Sequence, residues 1–140
     1  MIRLANDTDH AGVEALLALM HRKINDELFT QLLHDETRAI LVDDQSGELS
    51  GMVLCNIVYK LDRKECRLDR LIVREEFRGQ GIGTKLLRAA EEWAWKHDVK
   101  RIEFTSSAKR PEAHHLYTKN GYENRDTKVF AKTNGEIEAV

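Results

Sequence analysis

The chain lacks much of what several protein classes require. Of its 140 residues only one is proline and 8 are glycine, which excludes a collagen-like or low-complexity chain. Its longest apolar run, Ala15 to Met20, is far shorter than the roughly 20 residues that cross a bilayer. Asp7 and Asp9 stand where an export signal needs an apolar segment. We therefore expect a soluble, cytoplasmic protein that does not contact membranes.

An excess of charge of one sign is also missing. The chain has 22 Lys and Arg residues against 24 Asp and Glu residues, a formal net charge of -2. Without a broad positive field, nucleic-acid binding is not expected. Two cysteines, Cys55 and Cys66, are too few for a disulfide framework, and we interpret them as core residues in a reducing compartment. The length predicts one domain over residues 1–140.

Hydrophobic periodicity predicts the order of strands and helices. Strands are expected over residues 2–5, 38–42, 49–59, 66–73, 101–106 and 128–132, and helices over 10–26, 84–97 and 111–121, with a short helix or turn over 28–33. Residues 60–64 are expected to form a charged turn. The first strands can pair as antiparallel hairpins, whereas a helix connects the later ones. This order indicates an α/β (mixed α+β) fold, a mixed sheet with helices packed on it.

A glycine-rich turn between a strand and a helix is the strongest local signal. It comprises Arg78, Gly79, Gln80, Gly81, Ile82, Gly83 and Thr84. Glycine lets the backbone approach a ligand closely, and the first N–H groups of a helix have no partner within it. Together they form a site suited to a phosphate or diphosphate. A glycine-rich connection that only permits a tight turn is the alternative.

Two common phosphate motifs do not match this turn. A dinucleotide site needs G-x-G-x-x-G, but Thr84 stands at the third glycine position, which disfavours a nicotinamide-dependent oxidoreductase. A P-loop needs G-x-x-x-x-G-K-[ST], and no segment matches. The spacing that fits is R-x-x-G-x-G, directly after the apolar residues 71–73.

This pattern resembles the GNAT superfamily of N-acetyltransferases. The segment LDRLIVREEFRGQGIGTKLLRAAEEWA is similar to that family's strand, pyrophosphate turn and helix, and RPEAHHLYTKNGYE to its later block. The resemblance covers roughly residues 38–132. It implies a central mixed sheet with a splayed parallel strand pair, helices on both faces, and acetyl-CoA as cosubstrate without a metal.

The resemblance also assigns the cofactor-binding residues. The backbone of the glycine turn would hold the pyrophosphate, and Leu71, Ile72 and Val73 would line the pantetheine arm. The family has a β-bulge in this strand, and the sequence supports one independently. Strict alternation leaves both strand faces partly polar, whereas one extra residue near Arg70 brings Leu68, Leu71 and Val73 onto one face.

Catalytic roles are likewise implied by the resemblance. The N–H of Val73 would polarise the carbonyl of the acyl-pantetheine arm, and Tyr117 would give a proton to the departing thiolate. Tyr117 as an ordinary core residue is the alternative. Asp69 is the candidate base, with Glu103 as a competing carboxylate and a merely structural role for either as the alternative.

Other residues near these motifs have weaker assignments. His114 lies one turn before Tyr117 and would touch the cofactor, whereas His114 and His115 share no helix face, so no metal site is predicted. Lys109, Arg110 and Lys119 would meet the CoA 3′-phosphate or form a solvated rim. Members of the family often have an asparagine after the second parallel strand, where this chain has Ser106 and Ser107; the contact is lost or passes to a serine hydroxyl.

We therefore predict transfer of an acetyl group to a primary amine, on a small molecule or a peptide, by direct attack in a ternary complex. A non-catalytic CoA-binding sensor is the alternative. The acceptor, the pathway and the oligomeric state are not determined, although a homodimer is common in the family. Acidic residues in the segment between the first two helices would favour a cationic amine such as a polyamine or aminoglycoside, and they are Asp26, Glu27, Asp35 and Glu36.

Overall fold

The computed structural model describes residues 1–106 and 111–135, and it divides the chain into two compact units, Met1–Thr105 and Ser106–Val140. The first unit contains β1 Ile2–Leu4, α1 His10–Ala18, α2 Asp26–Leu33, β2 Arg38–Gln45, β3 Glu48–Lys60, β4 Arg63–Val73, α3 Ile82–Lys96 and β5 Ile102–Glu103. The second unit contains α4 Pro111–Lys119. Each predicted segment except 128–132 corresponds to one of these elements.

Asparagine side chains cap the short 3-10 turn Asp7–Asp9, which leads into α1, and the start of α2. Asn6 Oδ1 accepts the N–H of Thr8 in the turn before α1, and Asn25 Oδ1 accepts the N–H of Leu28 at the start of α2. The prediction of one helix over 10–26 was wrong, because α1 ends at Ala18 and His21 adopts φ +58°. Met20 and Ile24 still pack against the core from the connecting segment, which explains the apolar periodicity beyond the helix.

The five strands form a mixed sheet in the order β1-β2-β3-β4-β5. Neighbouring strands from β1 to β4 are antiparallel, and β4 and β5 are parallel. The α/β (mixed α+β) prediction with a parallel pair is therefore confirmed. The charged turn predicted over residues 60–64 is shorter than expected, because Lys60 pairs with Arg63 and β4 begins there.

Helices cover both faces of this sheet. A core on one face joins α1 and α2 to the strands, and its buried members are Val13, Leu16, Phe29, Ile40, Val42, Leu49, Met52 and Ile72. Side chains alternate between faces, so Leu41 and Val53 point to the opposite face. The buried side of α3 packs there with Leu86, Leu87, Ala90 and Ala94.

The second unit is described by its single helix. Pro111 opens α4, where a missing N–H costs least, and Gly121 follows the helix with φ +91°, as predicted. Residues 128–132 are described but exposed, and they do not form the predicted strand. Among the described residues, no helix is long and apolar enough to cross a membrane.

Candidate functional site

The glycine turn leads directly into α3. Gly79 has φ +81° and Gly81, the residue before the helix, has φ +78°, a region that residues with side chains rarely adopt. Among the described residues, no atom beyond the adjoining residues lies within 4 Å of a Cβ built on either glycine, so the backbone of the turn is open on that side. Ile82 is buried and anchors the first helical turn in the core.

The start of α3 has the electrostatics of an anion site. No side chain caps the helix at Gly81. The amides of Ile82 and Gly83 have no acceptor within the helix, and the helix dipole adds a partial positive charge there. Gly83 and Thr84 are half-buried, whereas Arg78, Gly79, Gln80 and Gly81 are exposed. This arrangement can bind a phosphate group through the backbone.

The predicted β-bulge is present in β4. Asp69 pairs with Leu54 and Ile72 with Met52, so Arg70 and Leu71 together face the single residue between those β3 partners. Arg70 has φ +55°. The extra residue places Ile72 in the core with α1 and α2, and it places Leu71 and Val73 on the face of α3 with Leu68. A contact between Ile72 and the cofactor is therefore left to its backbone.

The end of β4 presents an amide to its outer edge. The N–H of Arg74 donates to the carbonyl of Ser50 on β3, at 2.8 Å. Successive amides of a strand point in opposite directions, so the N–H of Val73 points away from β3. Arg78 Nε donates to the carbonyl of Val73 at 3.3 Å, which ties the glycine turn to this strand end. Two residues assigned to cofactor binding, Val73 and Arg78, are thus in contact.

The parallel ladder between β4 and β5 is very short. It consists of the pairs Cys66↔Ile102 and Arg67↔Glu103. β4 continues to Val73, so within residues 1–106 its last six residues, 68–73, have no ladder partner on the β5 side. The family resemblance implies a splayed strand pair, and the short ladder agrees with it; the bulge and the Val73 amide lie on the part of β4 beyond the ladder.

The candidate base lies on the other face of β4. Asp69 shares the face of Ile72 and Leu54, and Asn56 Nδ2 donates to its Oδ2 at 3.1 Å. Arg67 Nε lies 3.9 Å from its Oδ1, and the side chain is about one third exposed (36%). The competing carboxylate, Glu103, accepts a short hydrogen bond from Arg101 Nη2. Asp69 therefore has the weaker ionic partner of the two.

The remaining predicted residues lie on α4 or outside the described residues. Tyr117 and His114 are half-buried and three positions apart, so they are neighbours on one helix face. Ser106 Oγ is buried without a hydrogen-bond partner among the described residues. Ser107, Lys109 and Arg110 lie outside the described part of the chain.

The structure also bears on possible metal ligands and on the two cysteines. In the described ranges, 1–106 and 111–135, no three His, Cys, Asp or Glu side chains are grouped as metal ligands. Cys55 and Cys66 are buried, and the hydrogen bond with Cys66 together with burial raises the pKa of the Cys55 thiol. A raised thiol pKa disfavours a nucleophilic cysteine at Cys55.

Sequence reasoning missed a buried ionic cluster at the start of β4. Glu65 is buried with its side chain 4% exposed, and its carboxylate contacts Lys60, Arg63 and Arg101. The hydrogen bond from Lys60 and the charges of the two arginines keep the pKa of Glu65 below its usual value, although burial opposes them. Nothing local in the sequence predicts this cluster, because Arg101 is distant along the chain.

The fold and the glycine turn agree with comparisons to known proteins. The sequence profile of the Acetyltransferase (GNAT) family matches residues 7–122, and this chain belongs to that family. The aminoalkylphosphonate N-acetyltransferase of Salmonella typhimurium is 30% identical over 126 residues, covering 81% of this chain and 82% of that protein.

Two other proteins extend the comparison. A candidate [ribosomal protein bS18]-alanine N-acetyltransferase of Bacillus subtilis is 28% identical over 115 residues, covering 82% of this chain and 74% of that protein. The aminoglycoside N-acetyltransferase AAC(6')-Iy, solved in complex with CoA, has a TM-score of 0.83 at 16% identity and covers 96% of this chain and 99% of that one. The latter likeness shows a common fold.

Proposed function

We propose that this protein transfers the acetyl group of acetyl-CoA to a primary amine by direct attack in a ternary complex. The open outer edge of β4, which runs from the bulge at Arg70 to the glycine turn, is the observation that carries the proposal. It places an outward amide beside an anion-binding helix start, the two features that a thioester joined to a diphosphate requires.

The backbone does most of the cofactor binding in this proposal. The amides of residues 79–83 hold the diphosphate, and Leu71 and Val73 line the pantetheine arm from the α3 face. The N–H of Val73 donates to the carbonyl oxygen of the acyl-pantetheine arm as negative charge develops on it. The buried hydroxyl of Ser106 takes the hydrogen-bonding role of the family's asparagine.

Two side chains handle the protons. Asp69, oriented by Asn56, accepts a proton from the ammonium of the acceptor, directly or through water. The neutral amine then attacks the carbonyl carbon, the C–S bond breaks with its electron pair on sulfur, and the new amide nitrogen loses its second proton to water. Tyr117 donates a proton to that thiolate. His114, one turn away, contacts the cofactor.

We also propose that the acceptor carries an acidic group. Two acids of the segment predicted to attract a cationic amine are already paired, because Asp26 contacts His10 and Asp35 contacts Arg38. The sheet register instead aligns Asn56 and Arg67 in one row on the face of Asp69. The Salmonella relative is named for aminoalkylphosphonates, whose amine and acid fit Asp69 and Arg67 respectively.

An assay of free-thiol release from acetyl-CoA tests both the acetyl transfer and the preference for an acceptor that carries an acidic group. We expect turnover with 2-aminoethylphosphonate that exceeds turnover with ethylamine, spermidine or an alanine-initiated peptide. Arg67→Met lowers that preference, whereas Arg88→Met, on the exposed side of α3, does not. Turnover of spermidine or the peptide above the phosphonate contradicts the acceptor class. CoA binding by calorimetry without turnover of any amine supports the sensor alternative.

A further inference from the structure

The buried carboxylate of Glu65 joins three segments of the first unit. Lys60 Nζ, at the end of β3, lies 2.5 Å from Glu65 Oε1. Glu65 Oε2 lies 3.3 Å from Nε of Arg63 and 3.3 Å from Nε of Arg101, as ionic contacts rather than aligned hydrogen bonds. Arg101 immediately precedes β5, so this carboxylate links β4 to its parallel neighbour.

The link lies where the two parallel strands part. Cys66, the residue after Glu65, donates its N–H to the carbonyl of Arg101 at 3.0 Å, and the ladder ends one residue later at Arg67↔Glu103. Arg101 also donates to Glu103, so the same guanidinium bridges carboxylates on both strands. Backbone and side-chain contacts between β4 and β5 are thus concentrated at one end of the pair.

A buried carboxylate restricts the positions of the side chains that pair with it, and so of the strands that carry them. Removing Glu65 or Arg101 breaks the arm of the cluster that reaches β5 and leaves the remaining partner uncompensated, so the structure must relax there to hydrate it. Relaxation here would change the position of β5 relative to β4. The strand separation beyond Arg67 depends on that position.

We propose that Glu65 is a positioning residue for acetyl-CoA, acting through Arg101. It does not touch the cofactor; it fixes the point and angle at which β4 and β5 diverge, and so the width available to the pantetheine arm. This inference rests on the proposed function, because it assumes that the arm lies along the open edge of β4.

The test compares variants that remove different ionic contacts of Glu65. Glu65→Gln and Arg101→Met cut the link to β5, whereas Lys60→Met removes a contact that does not involve β5. For the first two we expect the CoA dissociation constant and the KM for acetyl-CoA to rise about tenfold with little change in kcat. The double variant Glu65→Gln/Arg101→Met is expected to match either single variant. Lys60→Met is expected to lower stability and leave both constants unchanged.

Amide hydrogen exchange gives a readout that needs no cofactor. The N–H of Cys66 is expected to exchange faster in Glu65→Gln and Arg101→Met, relative to the N–H of Ile57, which donates to the Thr37 carbonyl at 2.8 Å. Equal CoA affinity in wild type and both variants, or an additive double variant, overturns the inference. Failure of the wild type to bind CoA overturns the proposed function instead. Arg101 is one third exposed, so Arg101→Met keeps the test available if Glu65→Gln does not fold.

Discussion

Asn56 on β3 donates its side-chain amide to the carboxylate of Asp69 on β4, with Nδ2 3.1 Å from Oδ2. The bond crosses between neighbouring strands just before the bulge, so the carboxylate is held on the sheet face opposite Leu71 and Val73. β4 thus presents an acid on one face and apolar side chains on the other, which the proposed function assigns to the acceptor and the cofactor respectively.

Asp69→Asn is expected to lower kcat about 100-fold, because the amide cannot take the proton of the acceptor. CoA affinity is expected to stay unchanged, since Asp69 lies on the face away from Leu71 and Val73. Steady-state thiol release and calorimetry measure the two quantities. Asp62→Asn, an exposed acid in the hairpin, serves as the control. An unchanged kcat in Asp69→Asn would show that Asp69 is not the base, and it would leave Glu103 or an acceptor that arrives neutral.

Gly81→Ala is expected to weaken CoA binding and to lower the free energy of unfolding by about 1 kcal/mol, because its φ of +78° is unfavourable for alanine. Gly47→Ala is a matched control, since Gly47 has φ +96° and also lies in open space, but in the β2–β3 turn. Both variants should lose similar stability by urea unfolding, and only Gly81→Ala should lose affinity. Equal CoA affinity in the two variants would contradict the pyrophosphate role of the turn.

Arg70→Gly is expected to keep the bulge with little change in stability, because glycine adopts the φ of +55° without strain. Arg70→Val should lower the free energy of unfolding by about 1–2 kcal/mol, since a β-branched residue resists this conformation. Chemical denaturation compares the two variants. Greater stability for the valine variant would mean that residue 70 leaves the left-handed region and the bulge relaxes.

Tyr117→Phe is expected to lower kcat about 100-fold while CoA affinity is retained, because the hydroxyl supplies the thiolate proton but is not needed for binding. Tyr59→Phe, at the exposed end of β3, removes a hydroxyl elsewhere and should have no effect. The same thiol-release assay and calorimetry apply. If Tyr117→Phe keeps its rate and loses only thermal stability, Tyr117 is the structural tyrosine that its helix position alone also permits.

Glu65 makes stability depend on pH in a defined direction. The Lys60 hydrogen bond and the arginine charges lower its pKa in the folded state, so its contribution is present above the ordinary pKa of about 4.3 and is lost as pH falls through the lower folded value. Glu65→Gln should cost about 3 kcal/mol at pH 7. The difference from wild type, measured by urea unfolding, should shrink below about pH 4. A constant difference across this range would mean that the charge of Glu65 does not matter.

The bulge was predictable from the sequence, whereas the extent of the parallel pair was not. Residues 66–73 break their alternation at Arg70, and a break of this kind has a local cause that the sequence contains. The strand predicted over 101–106 has only two paired residues, because pairing depends on where β4 turns away. The length of this pairing depends on the relative positions of β4 and β5, which neither segment determines alone.

Charged residues were the hardest to interpret from sequence. Arg63 and Lys64 look like part of a solvated turn, yet they begin β4, and Glu65 beside them is buried. In the sequence a buried acid cannot be distinguished from an exposed one unless its partners are known. Arg101, a partner of Glu65, lies 36 residues after it in the chain. The glycine turn, by contrast, is local in both sequence and structure, so its conformation could be anticipated.

The opposite orientations of Asp69 and Val73 on one strand have a consequence for protein engineering. Under the proposed function, the side chains of Asn56 and Arg67 on that face can be exchanged while Asp69 and the backbone of the glycine turn stay as they are. On that proposal, a library confined to these two positions would select for new amine acceptors without changing the residues assigned to the acyl donor.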